Sequence, residues 1–321
     1  MASSTFIHSA PPTGVRGFLR RIQAGEHFSL LITLAAALTI LLIVGLLVYE
    51  LASNSMEAVR KFGWSFVTAS DWDPSNEIFG ALPFIYGTCV TSFLALLIAV
   101  PTGVGAALFL SELAPPSVSN ALTFLIELLA AVPSVIYGLL GIFVLVPLIQ
   151  DYLYPVLKQF SYLPMFQGQF YGVSFLSAGI VLSVMVVPFI VSVSREVLMA
   201  VPNDQREAAL ALGATKWETT IQIVMPNAST GILGSIFLAL ARALGETMAV
   251  TMVIGNTPKI SASLFSPGYS IASVIANEFG EAAPGLHLSS LILLGLALFG
   301  LTIVINAIAR LFIMATAQKG A

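Results

Sequence analysis

Six stretches of this chain are each long and apolar enough to cross a lipid bilayer, and no other property of the sequence restricts its fold as strongly. A helix rises about 1.5 Å per residue and the hydrocarbon core is about 30 Å thick, so a crossing takes roughly 20 mostly apolar residues. The qualifying runs extend from Phe28 to Tyr49, Leu82 to Leu110, Ala121 to Ile149, Val173 to Ser194, Ser229 to Ile254 and Leu286 to Met314. Hydrophobic residues make up 57% of the chain and charged ones only 9%, against roughly 25% charged in a soluble domain. A soluble globular protein is thereby excluded. The expected fold is all-α: one polytopic membrane domain over residues 28–321, with six transmembrane helices, behind a tail at 1–27. Several runs exceed the required length, which implies tilt or kinks, and Pro101, Pro133 and Pro188 mark kink sites because proline removes a backbone bond. None of the six reads as interrupted.

Arg16, Arg20 and Arg21 precede the first run, as they would a secretory signal. A signal's apolar core covers about 7 to 15 residues, whereas Leu30 to Tyr49 is unbroken by charge, so an uncleaved anchor is expected. Basic residues concentrate on the cytoplasmic side of membrane proteins. With the N-terminus inside, Arg16, Arg20, Arg21, Arg195, Arg206, Lys216, Arg310 and Lys319 are cytoplasmic, and Arg60, Lys61, Lys158 and Lys259 are outside, eight against four. Both termini are then cytoplasmic. Basic residues are scattered and net charge is only −3, so nothing tracks a phosphodiester backbone and nucleic acid is not a partner. Cys89, the single cysteine, lies in an apolar run and packs as a small hydrophobe, while His8, His27 and His287 have no metal-ligand spacing.

The only long cytoplasmic loop, Arg195 to Asn227, reads as two short helices. Asn203 can cap the first, Asp204 suits its opening turn and Gly213 stops it. Thr215 and Glu218 have capping-box spacing at the start of the second, which Pro226 ends. The first helix is faced with alanine and offers Leu210 and Leu212 as apolar anchors for a groove. A hairpin lying on the membrane surface would share these features.

The loop resembles that of the membrane subunits of binding-protein-dependent ABC importers: Glu207-Ala208-Ala209, three residues, Gly213, then Met225-Pro226 where Leu-Pro is frequent. The resemblance implies a type I ABC importer permease fold. It also implies that Glu207, Ala208, Ala209, Leu210, Leu212 and Gly213 couple the chain to a partner ATPase. No lysine here is preceded by glycine and followed by Ser or Thr, so the chain lacks a P-loop. ATP and Mg are expected on the partner alone; this chain is a transport subunit without its own ATPase site.

Arg242 and Glu246 sit near the middle of the fifth run. A central arginine costs at least about 2.5 to 3.5 kcal/mol to insert, so it should face a cavity or a partner. The pair has i, i+4 spacing and would share one helix face, although a base preceding its acid is the weaker order for a helical ion pair. Two readings stand: mutual neutralisation, or an Arg242 that offers its donors to a tetrahedral oxyanion while Glu246 holds the guanidinium between substrate passages. Ser134 and Tyr137 follow Pro133 in the third run and can present hydroxyls to the same path, although such hydroxyls more often bond backbone or neighbouring helices.

Ala241-Arg242-Ala243-Leu244-Gly245-Glu246-Thr247-Met248-Ala249-Val250 resembles the fifth-span signature of PstC-type phosphate permeases. Ala131-Val132-Pro133-Ser134-Val135-Ile136-Tyr137-Gly138 and Pro188 to Glu196 match further. The resemblance implies inner-membrane import of inorganic phosphate by alternating access. Arg242, Glu246, Ser134, Tyr137 and Thr247 would line the pathway, and the implied partners are a PstA-type permease, a PstB-type ATPase dimer and a PstS-type phosphate-binding protein. A permease for sulfate or molybdate and a secondary anion transporter remain as alternatives. A membrane-embedded enzyme would need a nucleophile with a base, which the chain's motifs do not supply.

Overall fold

The computed structural model describes the backbone of residues 26–317 and the side chains of 29–311. The tail with Arg16, Arg20 and Arg21, and Lys319 at the other end, lie outside the described residues. Six of the described helices are long and apolar enough to cross a membrane, and the chain is a multi-pass membrane protein. Two compact units are distinguished, one up to Ser53 and one from Asn54 onward.

The first unit is built on α1, Glu26–Asn54, whose apolar side chains are exposed from Leu30 to Leu47. A 29-residue helix of this composition has the length of a membrane crossing with some tilt. In the second unit the principal helices are α2 (Leu82–Leu108), α3 (Pro116–Ala130), α4 (Ser134–Leu140), α5 (Phe175–Met199), α6 (Asn203–Ala211), α7 (Met225–Leu244), α8 (Met248–Val253), α9 (Ile271–Glu278) and α10 (Leu286–Ala317). A two-stranded antiparallel ribbon pairs Trp72 with Phe79 and Asp73 with Ile78.

Helix α5 is the axis of this unit. Ser174 caps it by accepting from the Ser177 N–H, and α2, α3, α7 and α8 all pack on it. Ala95, Ala99, Ala178 and Ala239 are fully buried between these helices. Small residues let helix backbones approach in lipid, where association is driven by packing and not by water exclusion. The α5 and α7 helices are also joined by buried hydroxyls, Ser194 Oγ to Ser235 Oγ at 2.8 Å.

Three expectations require correction. The third run is not one helix from Ala121 to Ile149: α3 ends at Ala130, and the crossing helix runs from Ser134 to Lys158. Pro133 takes an extended ψ of 140° and has no N–H to continue α3. The fifth run is likewise broken, with α7 closing at Leu244 and α8 opening at Met248 across Gly245, Glu246 and Thr247. Third, Pro226 does not end the second loop helix. The helix that opens at Lys216 passes through a π turn at Thr220–Val224 and runs on as α7, because a π turn re-registers the backbone bonds around the missing donor.

Candidate functional site

The two breaks lie side by side. Helices α4 and α8 pack against each other, and a Cβ built on Gly138 would stand 2.6 Å from Met252 Sδ and 3.2 Å from the Ala249 Cα. One turn on, the same construction at Gly141 meets Val253 Cγ1 at 2.8 Å. Position 138 faces 249 and 252 and position 141 faces 253, so the half-helices run parallel. Their starts, Ser134 and Met248, are therefore at similar depth.

A backbone interrupted inside a membrane is tolerated only where other groups satisfy it. The Tyr137 hydroxyl, on a side chain 6% exposed, donates to the Leu129 carbonyl at 2.7 Å, bracing the end of α3. The Glu246 carboxylate accepts from the Ala249 N–H at 3.2 Å, across the opening turn of α8. Thr247 donates through its hydroxyl to the Gly245 carbonyl at 3.3 Å, and its own carbonyl accepts from Thr251 Oγ1 at 2.7 Å.

Arg242 is placed differently. It occupies the last turn of α7, where the helix dipole favours a cation by about 0.3–1 kcal/mol. The guanidinium carbon stands 6.0 Å from the centre of the Phe189 ring on α5, and the charge is within electrostatic range of the Tyr137 phenol. Its side chain is exposed. Among the described residues it forms no ion pair within 4.0 Å. The expected helix face shared with Glu246 does not exist, since α7 ends between them, and in this conformation Glu246 bonds α8 instead of the guanidinium. Ser134, in the opening turn of α4 and three residues before Tyr137, is partly exposed.

At the opposite end of α7, Asn203 opens α6 without capping it, and its Oδ1 accepts from Arg206 Nη1 at 3.2 Å. Gly213 stops the helix with φ +91°, a conformation that favours glycine. The capping box at Thr215 and Glu218 is present in both directions. Between α6 and the helix that follows lies a cleft of about 480 Å³, lined by Ala208, Ala209, Leu212, Thr219, Gln222 and Ile223. Leu210 and Leu212 are 44% and 90% exposed, and Glu207, Ala208 and Gly213 are exposed as well.

The sequence did not point to Glu112. Its carboxylate meets Arg206 at 2.8 Å, a contact between residues 94 apart that no local spacing announces.

The profile of the family described as "Binding-protein-dependent transport system inner membrane component" matches residues 99–317, which include both breaks and the loop. The chain belongs to this family. The chain is 46% identical over 287 residues to the phosphate transport system permease protein PstC of Mesorhizobium japonicum, covering 88% of each. It is 44% identical over 322 residues to that of Xylella fastidiosa, covering 99% of each. A permease named probable PstC from Methanocaldococcus jannaschii is 34% identical over 92% of this chain and 94% of its own length. The permease is thus of the PstC type. Among solved structures, a bacterial ABC transporter that imports the acidic polysaccharide alginate superposes with a TM-score of 0.58 at 16% identity, covering 92% of this chain and 99% of that one. The inward-facing MetNI methionine ABC transporter gives 0.51 at 17% identity, over 74% and 94%. The fold is that of ABC importer permeases.

Proposed function

We propose that this permease carries inorganic phosphate across the bacterial inner membrane, in a complex whose energy comes from ATP hydrolysed on a partner subunit. The substrate is supported by the relatives named as phosphate permeases and by Arg242, an exposed guanidinium beside the α7–α8 break. Arg242 is the observation that carries the reading. A charge placed deep in a span faces lipid, a partner or a polar path, and a guanidinium already consumed by Glu246 would have little to offer an anion.

In this account phosphate exchanges part of its hydration for the guanidinium fork, and Ser134, partly exposed one turn before Tyr137, offers it a hydroxyl. Glu246, Thr247 and Tyr137 hold the interrupted backbone that sets Arg242 at this depth. The carboxylate also limits how tightly a dianion binds, which keeps the site able to release it. Helix α6, through Glu207 to Leu210, Leu212 and Gly213, docks in a cleft of a PstB-type ATPase dimer, where ATP and Mg are bound. A homologous PstA-type permease completes the pathway, and a PstS-type protein delivers phosphate from outside. The termini and the 195–227 loop lie in the cytoplasm, by the count of flanking basic residues.

The test is Arg242→Gln in the complex reconstituted into proteoliposomes. Phosphate uptake is expected to be lost while all subunits co-purify; normal uptake would remove Arg242 from the pathway. Uptake by the unaltered complex that follows a proton gradient and ignores ATP would overturn the importer reading, and preference for sulfate or molybdate would change the cargo.

A further inference from the structure

Helix α6 has no fully buried residue, and polar bonds tie it to the bundle. Arg206 donates through Nη2 to Glu112 Oε1 at 2.8 Å and through Nε to Oε2 at 3.3 Å. The same Nη2 reaches the Leu198 carbonyl at 2.8 Å, and Nη1 reaches the Val201 carbonyl and Asn203 Oδ1. The two charged side chains are only 16% and 10% exposed. Gln205 adds a bond to Asn227, 3.0 Å away at the start of α7.

These contacts converge on the ends of two spans. Glu112 lies in the π turn, Phe109–Leu113, that closes the helix begun by α2. Leu198 is in the last turn of α5 and Val201 just beyond it. Below the bridge, Ala107, Leu110, Val191, Leu198 and Val224 form one buried cluster, which packs the ends of α2, α5 and α7 against one another. Helix α6 is outside that cluster. It hangs between Pro202 and the left-handed Gly213, where a load applied at Leu210 and Leu212 would otherwise be absorbed by rotation of the connecting backbone.

We propose that the Arg206–Glu112 bridge is the positioning element that passes a displacement of α6 to the second and fourth spans. The proposal rests on the reading of α6 as the ATPase-docking helix. A bidentate guanidinium–carboxylate contact is directional and partly shielded from water, and the two carbonyl bonds fix the same guanidinium against α5. Arg206 therefore makes α6 and both span ends one body. Glu112 is the informative residue to change, because its replacement leaves the bonds from Arg206 to α5 in place and removes only the direct link from α6 to the end of the second span.

The experiment measures phosphate moved per ATP hydrolysed by the reconstituted complex with Glu112→Gln and Glu112→Ala. The ratio is expected to fall about tenfold in Glu112→Ala, the scale of a typical coupling between sites. Glu112→Gln, which keeps one neutral acceptor, should lie between Ala and wild type. A ratio unchanged in both variants overturns the proposal. So do uptake and hydrolysis that decline in equal proportion, the outcome of a bridge that only stabilises the fold. If Glu112→Ala fails to assemble, the Gln variant decides by the same ratio. An unaltered complex whose uptake is independent of ATP would instead sink the docking reading itself.

Discussion

Enlarging Gly138 tests whether the two half-helices touch as closely as the site requires. In Gly138→Ala the new methyl meets Met252 Sδ at 2.6 Å and the Ala249 Cα at 3.2 Å. The methionine tip moves aside readily, and only the Ala249 backbone must yield by a few tenths of an ångström. That strain, about 1 kcal/mol at the low end of overpacking, offsets the roughly 1 kcal/mol gained when alanine replaces glycine in a helix. Gly138→Ala should therefore be close to neutral. Leucine carries three more carbons into the same contact, for an overpacking cost of about 3 kcal/mol, and the net loss should be about 2 kcal/mol. Met252→Ala opens space where that leucine points; alone it should cost about 2 kcal/mol as a large-to-small change. The double variant should lose far less than the sum, with a favourable coupling of about 2 kcal/mol, because one defect fills the other. Denaturant midpoints of the four proteins in mixed micelles give the cycle. Additivity within about 0.5 kcal/mol, the behaviour of distant sites, would mean that α4 and α8 do not meet here, and the placement of Ser134 and Met248 at similar depth would go with it.

Two other substitutions probe separate links. Leu212→Asp should leave the permease's own stability within about 0.5 kcal/mol, as for other surface changes, because the side chain is 90% exposed. The ATPase should nevertheless be lost from the purified complex, which co-purification measures directly. Ser235→Ala removes the buried hydroxyl bonded to Ser194 at 2.8 Å and should cost about 0.6 kcal/mol, the average worth of such a bond between membrane helices; the same unfolding assay reads it.

The six crossings were legible because about 20 apolar residues leave a helix few alternatives in lipid. The first loop helix and the capping box at Thr215 were legible because Gly213, Thr215 and Glu218 act over three or four residues. The breaks were not. Hydropathy averages over a gap of three residues, and Val132, Leu244 and Thr247 are as acceptable in a continuous helix as beside an interrupted one. Pro133 was the available signal, read as a kink because proline kinks many membrane helices without opening them. At Gly245 the signal was weaker, since glycine is common in membrane helices. The i, i+4 spacing of Arg242 and Glu246 then suggested a pairing that depended on helix continuity. Arg206 and Glu112 escaped for another reason: each looks like an ordinary charge near a span end, and only packing α5 against α2 brings them together.

The breaks divide the five candidate pathway residues by what their polar atoms already do. Tyr137 bonds a backbone group on the far side of its gap, Glu246 reaches from within its gap to the opening turn of α8, and Thr247 bonds within that gap. Their removal would alter the backbone as well as any path through it, so lost transport in Tyr137→Phe or Glu246→Ala has two causes that uptake alone does not separate. Arg242 and Ser134 have no such backbone duty among the described residues. A loss caused by Arg242→Gln, with stability and subunit content unchanged, therefore speaks to the anion, whereas a loss in the bracing residues speaks first to the fold that presents the guanidinium.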